Sequence, residues 1–202
     1  MKVKFLFIVT LVAVLFTTQT SAIARTTTLP GGTSVNFSTI DKTFKISLRN
    51  AKAETVTITL EDTEGVSLVN ETVEATPNCV KSYRLENLPE GKYIFTVKHV
   101  GHKVIQPIML TPVQILVTTE EREEMLLPTL VQKENKIFVN SFVRKGGKTQ
   151  VRILNNEGAL MFEDAYSDEI LRKTFDIAKL ASGVYFFEVE TNATTEYFTV
   201  IK

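Results

Sequence analysis

Two decapeptides 92 residues apart carry one pattern. Leu180-Ala181-Ser182-Gly183-Val184-Tyr185-Phe186-Phe187-Glu188-Val189 and Leu88-Pro89-Glu90-Gly91-Lys92-Tyr93-Ile94-Phe95-Thr96-Val97 each lead from a leucine through a glycine turn into an aromatic-rich stretch. The likeness runs on in both directions. Phe44 and Ile46 lie 93 residues before Ile137 and Val139, Ile58 and Leu60 lie 93 before Val151 and Ile153, and Glu64-Gly65 lies 93 before Glu157-Gly158. One residue is then lost, and Leu85 lies 92 before Ile177. Matches fall on apolar and turn positions, and mismatches fall mostly on polar ones. Self-similarity at a fixed period marks a repeated structural unit. The chain is therefore expected to fold one module twice.

Inside each copy the period is two. Phe44, Ile46 and Leu48 alternate with Lys45, Ser47 and Arg49, and Val56, Ile58 and Leu60 alternate with Thr57, Thr59 and Glu61. Strict alternation puts one face of a strand in a core. Asp62-Thr63-Glu64-Gly65 and Asn155-Asn156-Glu157-Gly158 read as hairpin turns, with an Asp or Asn cap and a glycine free to take positive φ. Val100-Gly101 reads as another turn. Six to seven short strands per copy, regularly spaced, predict an all-β fold of two tandem immunoglobulin-like β-sandwich modules. The expected division is residues 1–24 as a signal peptide, 25–118 as the first module and 119–202 as the second.

The signal peptide is read from Lys2 and Lys4, an apolar run from Phe5 to Phe16, and small residues at Ala22 and Ala24, with Arg25 as the mature start. As a helix that run spans about 18 Å, short of the ~30 Å hydrocarbon core of a bilayer. No stable membrane span is expected after cleavage. The mature chain keeps 21 basic against 23 acidic residues, a balance unlike that of a nucleic-acid binder. Cys79 is the single cysteine, so no intramolecular disulfide forms and the core must hold the fold.

Candidate chemistry is sparse, and no catalytic, cofactor-binding or metal-ligating residue is assigned. His99 and His102 have metal-like spacing but flank Val100-Gly101, which reads as a solvated turn, and no third ligand is evident. Cys79 follows Pro77-Asn78 in an apparent polar connection, where nothing activates a thiol. The pairs Glu163-Asp164 and Asp168-Glu169 read as solvated charge in a connection rather than a glycosidase dyad. Glu120, Glu121, Glu123 and Glu124 around Arg122 read as a solvated linker or turn of helix. Phe186 and Ile94 point away from the alternating core set and are expected to pack against an opposing sheet or the other module.

The second copy, from about Lys136 to Lys202, resembles the C-terminal sorting domain of the type IX secretion system of Bacteroidetes. The resemblance rests on Val151-Arg152-Ile153-Leu154-Asn155-Asn156-Glu157-Gly158, on the Leu180–Val189 stretch, and on Tyr197-Phe198-Thr199-Val200-Ile201-Lys202. The Pro-Asn-Pro opening usual in that family is absent from Val131 to Asn140. The whole chain also resembles small secreted Bacteroidetes β-sandwich proteins of unknown function. The resemblance implies passage through the periplasm of a Gram-negative bacterium to the cell surface or medium, with secretion machinery, an envelope protein or a glycan as partner. It makes Gly158, Leu180, Gly183, Tyr185 and Lys202 the sorting-motif candidates. The expected role is structural or binding and not enzymatic. The alternative is a carbohydrate- or protein-binding accessory module, with an exposed aromatic patch as its mark. A hydrolase is the remaining reading and requires a cleft that joins His99 or His102 to carboxylates or to Cys79.

Overall fold

The computed structural model describes residues 34–49, 54–76 and 79–202. The expected signal segment, with Ala22 and Ala24, lies outside the described residues. The described residues are all-β, with sixteen strands and a single 3-10 turn. No helix among them is long and apolar enough to cross a membrane.

Seven strands occur twice. β1 (Ser34–Ile40) and β2 (Thr43–Arg49) form a hairpin, and β5 (Cys79–Arg84) extends it into a three-stranded sheet. β3 (Glu54–Asp62) lies between β4 (Ser67–Ala75) and β6 (Gly91–His99), and β7 (His102–Leu110) follows β6. In the second half β10 (Thr129–Lys133), β11 (Lys136–Phe142) and β14 (Ile170–Asp176) repeat the three-stranded sheet. β13 (Leu160–Tyr166), β12 (Thr149–Asn155), β15 (Val184–Thr191) and β16 (Thr195–Ile201) repeat the other, in that order.

Alternation does what it predicts. The inward set is buried on the central strands and half-buried on β5, β10 and β13, and two separate apolar cores result. One holds Phe44, Ile58 and Phe95, and the other holds Ile137, Val151 and Phe187. Each core draws on both sheets of its half. Burying a large apolar side chain contributes about 1.5–3 kcal/mol, so each core must close fully to offset chain entropy.

The repeat persists in the hydrogen bonds. Asp62 Oδ1 accepts from the amides of Glu64 and Val66, and Asn155 Oδ1 accepts from those of Glu157 and Ala159. Gly65 and Gly158 sit at φ 81° and 79°, where an L side chain is strained. The Tyr93 hydroxyl donates to Pro89 O at 2.7 Å, and Tyr185 donates to Ala181 O at 2.9 Å. Each tyrosine thereby locks the turn that leads into its own strand.

The halves diverge after the seventh strand. β8 (Ile115–Val117) and β9 (Glu123–Leu126) both pair with the outer edge of β7, joined by the 3-10 turn Thr119–Glu121. The run expected as a solvated linker or a turn of helix holds the 3-10 turn and then becomes sheet, because β7 presents an edge that needs partners. The sheet of the first half extends to Leu126, past the boundary expected at residue 118. The side chain of Arg122 turns inward and is only 7% exposed. Its Nη2 donates to Val35 O at 3.1 Å and pairs with Glu124 at 2.6 Å, and its guanidinium lies 5.1 Å from the Phe37 ring centroid. The halves meet at buried Leu127 and Pro128, where the Leu127 amide donates to Gly101 O. Lys98 Nζ pairs with Glu196 across the junction at 2.9 Å.

Candidate functional site

The structure disperses the chemistry that sequence spacing offered. His99 and His102 are buried instead of solvated, and their rings stack with centroids 5.3 Å apart. The physical reason is alternation: His99 continues the inward set Tyr93, Phe95 and Val97 of β6, and His102 begins that of β7, while Val100 at the tip stays exposed. Cys79 opens β5, half-buried against the first core, so it does not lie in a connection. Glu163 and Asp164 lie on β13 rather than in a loop. Glu163 pairs with Arg152 at 2.9 Å. Asp168 and Glu169 lie in the turn before β14. Among the described residues, no three His, Cys, Asp or Glu side chains converge as a metal site requires.

The sorting-motif candidates gather instead. Asn155 is in register with Tyr185, and Val184 with Ile201, so the Gly158 turn, Gly183, Tyr185 and Lys202 share one end of the four-stranded sheet. Gly183 and Lys202 exchange both backbone hydrogen bonds, at 3.2 and 2.9 Å. Lys202 Nζ donates to Asn135 Oδ1 at 2.9 Å, which ties this end to the turn between β10 and β11. The Leu180 amide donates to Ile177 O, and its side chain packs on the second core. Gly158 needs its positive φ, whereas Gly183 lies outside the left-handed region and a Cβ there meets nothing within 4 Å. These two glycines have different reasons to be glycine.

The outward face of the same end carries residues that the spacing argument did not assign. Leu160, Leu154, Phe186 and Thr199 stand in register across four strands. Leu160 is 55% exposed, Phe186 40%, Ile201 67% and Tyr197 72%. Phe186 thus faces solvent and packs against neither a sheet nor the first half. Beside this strip Arg152 holds Glu163, Glu188 and Glu190 at 2.9 to 3.3 Å, which favours its charged form and raises its pKa, the Glu163 contact first. The alternation held the signal for both features, since outward positions of β12, β15 and β16 can be read from the inward ones.

Residues 133–202 match the family model of the secretion system C-terminal sorting domain. The resemblance to a type IX sorting domain expected for the second half of the chain is therefore borne out over that segment. A sorting domain marks a secreted or cell-surface protein and implies contact with secretion machinery. No curated protein sequence matches the chain. Among solved structures, "Biofilm associated protein - BSP domain" aligns over 80% of this chain and 28% of its own, at 15% identity and a TM-score of 0.25. The chain spans less than a third of that protein, and at this similarity nothing of its biology transfers.

Proposed function

We propose that the chain is an exported, non-enzymatic protein of two immunoglobulin-like units. The second acts as a type IX sorting domain, and the first has a structural or binding role at the cell surface or in the medium of a Gram-negative bacterium. The match of residues 133–202 to the sorting-domain family carries this reading. The convergence of Gly158, Gly183, Tyr185 and Lys202 on one sheet end supports it, because a recognition element needs its residues on one surface. Leu180 and Tyr185 then shape that end from within, and Gly183 and Lys202 present it.

Fractionation of the native host with intact-mass analysis tests the proposal. The expected outcome is surface or medium location, and a mass lacking residues 133–202 identifies a sorting domain removed after use. Periplasmic retention of the whole chain sinks the reading. Gly183→Ala sharpens it. A Cβ at Gly183 meets no neighbour and no positive φ, so the variant keeps its thermal midpoint. If Gly183 is read by the machinery, the variant accumulates inside the outer membrane.

The accessory-module reading has one specific support, the outward strip with Phe186 and Tyr197. Exposed apolar patches often mark binding surfaces. Under that reading, Phe186→Ala and Tyr197→Ala abolish retention on glycan or envelope-protein supports and leave export intact.

A further inference from the structure

The strand equivalent to β16 in the first half is β7, and the two are finished differently. β8 covers Ile108–Leu110 on the outer edge of β7, and β9 covers His102–Ile105. Among the described residues no strand covers β16, which pairs with β15 alone. The Gly183–Lys202 bond pair sets the phase of the β15–β16 ladder. Tyr185–Val200, Phe187–Phe198 and Val189–Glu196 are then its hydrogen-bonded pairs. The amides and carbonyls of Tyr197, Thr199 and Ile201 consequently point at the open edge. Edge strands are usually guarded by proline, lysine or a bulge. Thr195–Ile201 has none of these. Its one guard is Gln132, whose Nε2 donates to Ile201 O at 2.8 Å.

We infer that this edge pairs with the β16 edge of a second copy, antiparallel about a two-fold axis at Thr199. That register joins the outward backbone groups of Tyr197, Thr199 and Ile201 as hydrogen-bonded pairs. It sets Thr199 against Thr199, Tyr197 against Ile201, Phe198 against Val200 and Glu196 against Lys202. The last match decides the register, since opposite charges face each other twice across the axis. Centring on Tyr197 instead sets Glu196 against Phe198, and centring on Phe198 sets Glu196 against Val200, so neither brings opposite charges together. Tyr197 and Ile201, two of the most exposed apolar side chains, become cross-strand partners, and aromatic pairs with β-branched residues stabilise antiparallel strands. Lys202 exchanges Asn135 for the carboxylate of Glu196, which it then shares with Lys98 of that copy, already 2.9 Å from it, and Gln132 releases Ile201 O to the new ladder.

Sedimentation velocity on the purified chain is the test, and a dimer at high micromolar concentration is expected. Thr199→Pro removes an amide that points outward and bonds nothing in β15. The dimer dissociation constant should rise at least about tenfold, equivalent to ~1.4 kcal/mol. A second measurement does not depend on that variant folding well. In a Cys79→Ser background, Thr199→Cys should give a covalent dimer on mild oxidation, because facing residues of an antiparallel pair lie within disulfide reach. Ala165→Cys, on the opposite edge strand, should not. A wild-type chain that stays monomeric overturns the inference. So does a dimer indifferent to Thr199→Pro, or equal cross-linking at Ala165 and Thr199.

Discussion

In the first half Glu71 on β4 accepts a hydrogen bond from the Tyr83 hydroxyl on β5 and an ion pair from Lys81 at 3.2 Å, joining the two sheets at their rims. The equivalent positions in the second half are Asp164 and Phe175, by register with Val151 and Ile137. There is no hydroxyl at Phe175 to make that bond. Phe175 instead packs edge-on against Phe162 at 5.3 Å and Phe187 at 5.7 Å. One backbone thus closes its rim once with a polar clasp and once with aromatic edges. The comparison separates what the fold requires from what each half chooses. The glycine turns, the tyrosine locks and the strand registers are kept, while the rim chemistry and edge covers are free.

The largest expected effects test whether the two cores are independent. Phe95 and Phe187 are equivalent and fully buried. Truncation of either to Ala costs about 3–5 kcal/mol. Phe95→Ala should lower only the first half's urea midpoint, and Phe187→Ala only the second's, followed by limited proteolysis. A single shared transition in both variants would merge the halves into one cooperative unit. Next come the matched turns. Gly65→Ala and Gly158→Ala should each cost about 1–2 kcal/mol from left-handed strain and should agree with each other, because neither Cβ meets a neighbour.

The rim chemistry predicts a difference with pH. The Tyr83 hydrogen bond, then Lys81, holds the Glu71 carboxyl below its ordinary value despite burial. A depressed folded pKa gives stability that is present above the unfolded value of about 4.3 and is lost as pH falls through the folded value. Tyr83 is pushed up, by burial first and Glu71 second, so its contribution is present below about 10 and is lost as pH rises. Tyr166 is pushed up to about 12 by burial and by the nearby Asp164 carboxylate. Both halves should therefore weaken in strong alkali, but only the first should lose this contribution in acid. Urea midpoints of the first half at pH 3 and 7 should converge in Glu71→Gln, and Tyr83→Phe should cost about 1 kcal/mol at neutral pH. The smallest effect concerns the junction. Lys98→Ala removes an exposed ion pair to Glu196 and should shift stability by under about 1 kcal/mol, with the change vanishing in high salt.

Much of this was legible in the sequence. Alternation located the cores, and Asp62-Gly65 with Asn155-Gly158 located the turns, since each signal acts through local backbone geometry. What failed needed knowledge of neighbours. Glu120, Glu121 and Glu123 are solvent-facing as read, but nothing local says that the edge of β7 draws Glu123–Leu126 into the sheet or that the Arg122 side chain turns inward. The Val100-Gly101 turn was visible and Val100 is exposed, but reading His99 and His102 with the turn missed that they belong to the inward sets of β6 and β7. Phe186 was correctly placed opposite the core set. A period of two cannot say whether water or a second layer lies on that side.

The buried junction also limits how the two halves can be parted by a protease. Leu127 and Pro128 are inaccessible, and β10 begins at Thr129. Exposed turns flank them on both sides, the 3-10 turn Thr119–Glu121 before and the hairpin turn at Glu134-Asn135 after. A cut at the first leaves β8 on β7 but assigns β9 and Arg122 to the departing fragment, uncovering the backbone of His102–Ile105 and the face of Phe37. A release that keeps the first sheet whole must instead cut beyond Leu126, and a cut at the exposed Glu134-Asn135 turn does so but leaves β10 with the first half. The position of the new terminus therefore records which half gave up a strand to the other.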